Sequence, residues 1–140
     1  MLMCIHPYFT FNGNCREAMT FYQKCFGGEL KLQTLGDSPL SKKMPAKMKN
    51  CILQAVLKND TMKIIASDIV SETGLLKGNS VSLLLNCKNK KEIKAYYKKL
   101  SAGVEAINPI KETFWGDLFG DVTDKYGNTW LLNVSKRRKN

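Results

Sequence analysis

An internal repeat constrains the fold of this chain more than any other feature of its sequence. When the sequence is aligned with itself at a shift of 75 residues, identical or similar residues coincide at several positions. The matches are Asn14 with Asn89, Glu17 with Glu92, Phe21-Tyr22 with Tyr96-Tyr97, Lys24 with Lys99, and Gly28 with Gly103. The sequence therefore predicts two copies of one structural unit.

Each copy carries the signature of an amphipathic helix. An Asn is followed three residues later by Glu, which is the spacing of an N-terminal capping box with Asn in place of Ser or Thr. Apolar residues then recur at helical spacing. They are Ala18, Phe21, Tyr22 and Cys25 in the first copy, and Ile93, Tyr96, Tyr97 and Leu100 in the second. Glycines at Gly27-Gly28 and Gly103 predict left-handed C-terminal caps.

Strand-like runs surround each helix in the same order. One run precedes the helix and three follow it. The runs are 8–11, 29–34, 52–57 and 62–66 in the first copy, and 81–85, 104–107, 118–122 and 129–134 in the second. Residues 36–50 form a polar, lysine-rich insertion. We therefore expect an α+β chain of one domain, 1–140, with a first βαβββ module at 4–68, a linker at 69–79, a second module at 80–135 and a basic tail at 136–140.

The composition excludes several classes of protein. The chain is 44% hydrophobic and 24% charged, as in ordinary globular proteins. It has no apolar run of the roughly 18 residues that a membrane helix needs. Its N-terminus lacks a basic segment followed by an apolar one, so we expect a cytoplasmic protein. The single histidine, His6, excludes a site with two imidazoles, and five scattered cysteines without a CxxC pair argue for reduced thiols.

The net charge of +10 favours anionic partners, among them nucleic acid. The lysines, however, are spread along the chain, and only 136–139 form a block. The sequence also lacks the signatures of nucleic-acid-binding folds and the glycine-rich loops of nucleotide sites. The sequence therefore gives nucleic-acid binding little support.

The duplicated unit resembles the vicinal oxygen chelate superfamily, which includes glyoxalases, bleomycin resistance proteins and dioxygenases. The resemblance is closest to its PhnB-like branch, the 3-demethylubiquinone-9 3-methyltransferase-like domains. It rests on the run from Pro7 to Ala18, on Phe21-Tyr22, and on Thr113-Phe114-Trp115-Gly116, Phe119-Gly120, Thr123-Asp124, Tyr126-Gly127 and Trp130. It implies two βαβββ modules of the glyoxalase/bleomycin resistance/dihydroxybiphenyl dioxygenase-like fold, forming a concave mixed sheet. No glycine-rich loop of the kind that binds a methyl donor is present.

The resemblance also implies where a divalent metal would be held. The four ligand positions of the superfamily fall on Pro7, Gln54, Ser80 and Leu131. Neither Pro nor Leu offers a ligating atom, and Gln and Ser are weak ligands for such ions. His6 is one residue from the first position and is expected to face the other side of the strand. We therefore expect no metal cofactor, although a divalent metal is possible if the alignment is displaced.

An apolar, aromatic surface is then the expected site. The residues predicted to line a ligand pocket are Tyr8, Gln54, Ser82, Phe114, Trp115, Phe119 and Trp130. Trp115 lies in a glycine-flanked loop between acidic residues, which is typical of a pocket wall. Glu112 and Asp117 are candidates for a general base or for binding a cationic ligand. Asp124, in Asp-Lys-Tyr-Gly, is predicted to be a turn residue.

Three functions follow from these residues, in order of preference. The first is metal-free binding of a small molecule. The second is an enzyme that uses a divalent metal or Glu112 or Asp117. The third is nucleic-acid binding through the basic surface. We also expect a homodimer, because half-sheets leave exposed edges and the superfamily commonly pairs two chains.

Overall fold

The computed structural model describes residues 3–105 and 108–135, except for the side chains of residues 40 and 41. The chain divides into two compact units, Met1–Leu76 and Lys77–Asn140. The predicted linker at 69–79 contains this division, whereas the predicted tail at 136–140 lies outside the described residues. Within the part of the chain that is described, no helix is long and apolar enough to cross a membrane.

The first unit contains one four-stranded sheet. The elements are β1 (Tyr8–Thr10), α1 (Cys15–Phe26), β2 (Glu29–Thr34), α2 (Ala46–Lys49), β3 (Ile52–Lys58) and β4 (Lys63–Ser67). Two 3-10 turns, Leu35–Asp37 and Pro39–Lys43, lie with α2 in the lysine-rich insertion. The strand order is β1-β4-β3-β2, in which β1 and β4 are parallel and the other pairs are antiparallel.

The second unit repeats this topology. Its elements are β5 (Leu83–Asn86), α3 (Lys90–Leu100), β6 (Asn108–Glu112), β7 (Leu118–Thr123) and β8 (Thr129–Val134). The strand order is β5-β8-β7-β6, again with the first pair parallel and the other two antiparallel. The predicted α+β architecture of two βαβββ modules is therefore confirmed in the described residues.

Each helix covers one face of its own sheet. In α1, Ala18, Met19, Tyr22 and Cys25 are buried and the helix contacts β2, β3 and β4, whose Ala55, Leu57, Ile64 and Ala66 are fully buried. In α3, Ile93, Tyr97 and Leu100 are buried against β6, β7 and β8. Because strand side chains alternate, each sheet also has a face turned away from its helix, which we call its far face.

Three local predictions differ from the structure. Strand β6 is Asn108–Glu112, whereas the sequence predicts a strand at 104–107. Of those four residues, Val104 and Glu105 belong to the connection after α3, and 106–107 lie outside the described residues. Helix α3 is capped at Ser101, and Gly103, with φ of 85°, lies in the following turn. At the first helix, Asn14 makes no side-chain cap, whereas Asn89 accepts a hydrogen bond from Glu92 N at 2.8 Å.

Candidate ligand-binding faces

The far face of the second sheet carries three apolar side chains, Leu84, Phe119 and Leu131, which we call its apolar strip, among polar residues such as Asp121 and Asn133. Register pairs Asp121 with Leu131 and Phe119 with Asn133 across β7 and β8, and pairs Leu84 with Leu131 across β5 and β8. Paired residues share a face, so these side chains all point away from α3. Leu84 is 53% exposed and Phe119 is 36% exposed. This face therefore offers apolar surface of the kind a small molecule can cover.

Trp130 does not belong to that strip, contrary to the prediction that it lines the pocket. It pairs with Val122 and Leu83 on the helix face and is only 1% exposed. Its indole Nε1 donates to Oδ2 of Asp124 at 2.8 Å. The same carboxylate accepts the backbone N–H groups of Tyr126 and Asn128, at 2.8 and 3.1 Å. Trp130 is thus a core residue, and Asp124 is the turn residue that the sequence predicted.

The loop between β6 and β7 holds an exposed aromatic pair. The rings of Phe114 and Trp115 meet edge to face with centroids 4.6 Å apart, and these side chains are 97% and 60% exposed. Trp115 Nε1 donates to Oδ2 of Asp117 at 2.8 Å. The loop is closed by Asp117 N to Thr113 Oγ1 at 3.0 Å and Thr113 N to Asp117 O at 2.7 Å. The indole is therefore exposed and held in one orientation.

The two candidate acids differ in their surroundings. Asp117 is half-buried and its carboxylate orients Trp115. Glu112 is exposed and pairs with Leu118, which in turn pairs with Val134. This register places Glu112 on the helix side of the sheet. Glu112 therefore lies on the opposite face from Phe119. The structure does not bring Glu112 to the far face on which the apolar strip lies.

The remaining predicted pocket residues lie on other parts of the chain. Tyr8, 57% exposed, and Gln54, also exposed, share the far face of the first sheet, because Tyr8 pairs with Ile65 and Ile65 with Val56. Ser82 is exposed in the segment before β5. Their assignment to one pocket with the second-unit residues stays a prediction.

The residues at the four expected metal positions do not fit a divalent ion. Leu131 presents an alkyl group to the far face, Pro7 has no donor in its side chain, and Ser80 and Gln54 are exposed neutral groups. Among residues 3–105 and 108–135, no three His, Cys, Asp or Glu side chains are grouped so as to hold a metal. His6 and Pro7 precede β1, which begins at Tyr8, so the expected facing of His6 stays a prediction.

A structural carboxylate that the sequence did not reveal is Asp68, just after β4. Its Oδ1 accepts the backbone N–H groups of Gly13 and Cys15, both at 2.9 Å, and its Oδ2 accepts that of Ile52 at 2.9 Å. An acidic group at the start of α1 also interacts favourably with the helix dipole. Asp68 thus takes the capping role expected of Asn14 and ties α1 to β3.

All five cysteines lie within the described residues and none forms a disulfide. Burial raises the pKa of the Cys15 thiol to about 12, with the negative charge of Asp68 adding to the effect. Burial likewise raises the pKa of Cys87 to about 11, with a further contribution from Glu92. These two thiols are neutral at physiological pH and are not candidate nucleophiles.

Comparison with known proteins identifies the family. The family model for 3-demethylubiquinone-9 3-methyltransferase matches residues 3–133. The chain belongs to this family. It is 31% identical over 146 residues to protein YjdN of Escherichia coli (strain K12), covering 97% of this chain and 98% of that protein.

Several solved structures share the fold of this chain. Protein PA1353 from Pseudomonas aeruginosa is 34% identical, with a TM-score of 0.81 over 96% of this chain and 98% of that chain. The putative PhnB protein from Bacillus cereus is 20% identical, with a TM-score of 0.74 over 95% and 100% of the two chains. More distant structures, described as glyoxalase-related, bleomycin resistance and fosfomycin resistance proteins, share the fold. The chain thus has the fold that these glyoxalase-related and resistance proteins share.

Proposed function

We propose that this PhnB-like protein binds a small, largely apolar molecule without the divalent metal typical of its superfamily. The observation that carries the proposal is Trp115, whose indole is 60% exposed yet fixed by Asp117. An exposed aromatic ring held in one rotamer loses little conformational entropy when a ligand stacks on it. The far-face strip of Leu84, Phe119 and Leu131 supplies further apolar surface in the same unit.

The donor set supports the metal-free part of the proposal. A divalent ion needs at least three strong ligands, usually imidazole, thiolate or carboxylate. Proline, leucine and two neutral polar side chains occupy the expected positions. An enzyme that works through such a metal is therefore a weaker candidate.

A neutral fluorescent probe, N-phenyl-1-naphthylamine, tests the binding proposal. We expect saturable enhancement of its emission by the native protein, and a loss of about tenfold in affinity for Trp115→Ala. Phe119→Ala is expected to weaken binding to a smaller extent. Met48→Ala is the control, since it removes a 46% exposed apolar side chain from α2, outside the proposed site.

The outcome separates site binding from general hydrophobic adsorption. Equal affinity for Trp115→Ala, Met48→Ala and the native protein contradicts the proposal, as does enhancement that never saturates. Circular dichroism of each variant shows whether the fold is retained. Because Trp115 is exposed in the β6–β7 loop, its replacement is expected to leave the spectrum unchanged.

We also propose that the protein is a cytoplasmic homodimer. Support comes from apolar side chains exposed on the single chain, namely Phe114 at 97%, Leu76 at 95% and Val81 at 78%. Burial of such side chains against a second copy is favourable. Sedimentation equilibrium at micromolar concentration is expected to give twice the monomer mass, and a monomer under these conditions contradicts the dimer.

A further inference from the structure

A groove in the first unit carries unpaired positive charge and shares no residue with the apolar site of the second unit. It has a volume of about 690 Å³ and lies between residues 4–7, which precede β1, and residues 58–64, which include the β3–β4 turn. Its size falls within the range of small-molecule sites. His6, Lys58 and Lys63 are among its lining residues.

Register places two of these basic side chains opposite each other in the sheet. Lys58 and Lys63 are direct partners in the antiparallel β3–β4 pair. The two lysines therefore belong to the far face at one end of the sheet. His6 precedes β1 and lines the same groove.

The two lysines repel each other and form no ion pair among the described residues. Like charges directly opposite in a sheet are destabilising. Among the described residues, neither ammonium group has an ion-pair or hydrogen-bond partner. Glu29 is the register partner of Lys58, but its carboxylate lies 3.7 Å from Lys31 Nζ instead. Asp60, in the adjoining turn, does not line the groove. An anion between the lysines would remove the repulsion.

The walls of the groove are firm and partly apolar. Oδ1 of Asn59 accepts the N–H groups of Thr61 and Met62, each at 2.9 Å, which fixes the β3–β4 turn. Pro7 O accepts from Ile65 N at 3.0 Å, which fixes the segment that precedes β1. Ile5, Pro7 and Met62 provide apolar surface beside the lysines. The groove therefore offers apolar surface beside the two lysines.

We propose that this groove binds a small phosphorylated molecule, with the phosphate group between Lys58 and Lys63. Two neighbouring ammonium groups match a phosphate dianion, whereas a single carboxylate would compensate only one of them. The proposal does not depend on small-molecule binding at Trp115, because it concerns different residues in the other unit.

The test is a titration of the native protein with inorganic phosphate, followed by backbone amide shifts in two-dimensional NMR at constant ionic strength. We expect saturable shifts at residues 5–7 and 58–64. The variant Lys58→Gln/Lys63→Gln is expected to bind about tenfold more weakly or worse, because two charge-assisted contacts are lost. Lys42→Gln/Lys47→Gln removes the same charge from exposed positions of the same unit, outside the groove, and is expected to bind normally.

Three results overturn the proposal. Shifts that rise linearly and spread over all lysine-rich segments indicate an adventitious ion only. Equal weakening in both double variants indicates a response to net charge. Tight binding of a single-stranded oligonucleotide with shifts at 42–49 and 88–99 indicates nucleic acid instead. The amide spectrum of each variant shows directly whether it is folded. If the double variant is not folded, the single variant Lys58→Gln is titrated in its place.

Discussion

Replacement of Asp124 by Asn tests the structural account of the second unit at atomic level. Asp124 is 3% exposed and its carboxylate accepts three hydrogen bonds, from Tyr126 N, Asn128 N and Trp130 Nε1. Asn keeps one oxygen for the two backbone donors. Its amide nitrogen, however, then faces the indole N–H group, so two donors meet where a donor and an acceptor lay 2.8 Å apart.

The expected cost follows from these contacts. A charge-assisted hydrogen bond contributes about 1.5–3 kcal/mol, and a buried donor without a partner costs about 1–3 kcal/mol. We therefore expect Asp124→Asn to lower the free energy of unfolding by about 3 kcal/mol. Asp121→Asn is the matched control. Its carboxylate accepts from Asn108 Nδ2 at 3.1 Å at an exposed position, so we expect a loss of about 0.5 kcal/mol or less.

Urea unfolding followed by far-ultraviolet circular dichroism measures both changes without relying on tryptophan emission. Repeating Asp124→Asn in a Trp130→Phe background isolates the indole contact, because phenylalanine has no N–H group to leave unsatisfied. The cost of Asp124→Asn should fall by about 1–2 kcal/mol in that background. A loss below about 0.5 kcal/mol in the native background, or an equal loss in both backgrounds, refutes the reasoning.

Three further predictions concern other parts of the fold. Asn89→Ala should lower the free energy of unfolding by about 1 kcal/mol, because Asn89 caps α3. Asn14→Ala should lower it by only a few tenths of a kcal/mol, because Asn14 makes no side-chain cap. The reverse order in urea unfolding contradicts this prediction. Gly120→Ala should lower the free energy of unfolding by about 1–3 kcal/mol, because a Cβ at this position would lie 3.1 Å from the Ile110 backbone. An unchanged melting temperature contradicts this prediction. Stability should fall as pH rises from 9 towards 12, because the unfolded Cys15 thiol ionises while the folded thiol does not. Cys15→Ala should make the free energy of unfolding, measured in urea, less dependent on pH in this range. An equal pH dependence in the native protein and the variant contradicts the assignment of the effect to Cys15.

The sequence was sufficient to predict elements that are defined by local patterns. Helices α1 and α3 and most strands follow from apolar periodicity. The predicted bounds of Glu29–Thr34 and Thr129–Val134 are those that the structure has. Strand β6 was missed because Asn108–Glu112 contains a proline and only one large apolar residue, Ile110. The preceding segment, 104–107, is more apolar, so the sequence favours a strand there instead.

The contacts that could not be predicted depend on residues distant in sequence or on strand facing. Asp68 meets Cys15 across 53 positions, and no local pattern signals this bond. Trp130 was placed in the pocket because Thr129–Val134 has apolar residues on both faces, so its hydropathy does not show which face is buried. Trp115, by contrast, could be singled out because it lies in a glycine-flanked loop, where a large aromatic is unusual.

The metal content of protein purified without an affinity tag or chelator shows whether the chain holds a divalent ion. Mass spectrometry of the native chain, before and after soaking with zinc, nickel, manganese and iron, is the measurement. We predict far less than one ion per chain in every case. Near-stoichiometric metal in any of these samples would contradict this prediction and would move a metal-dependent enzyme to first place.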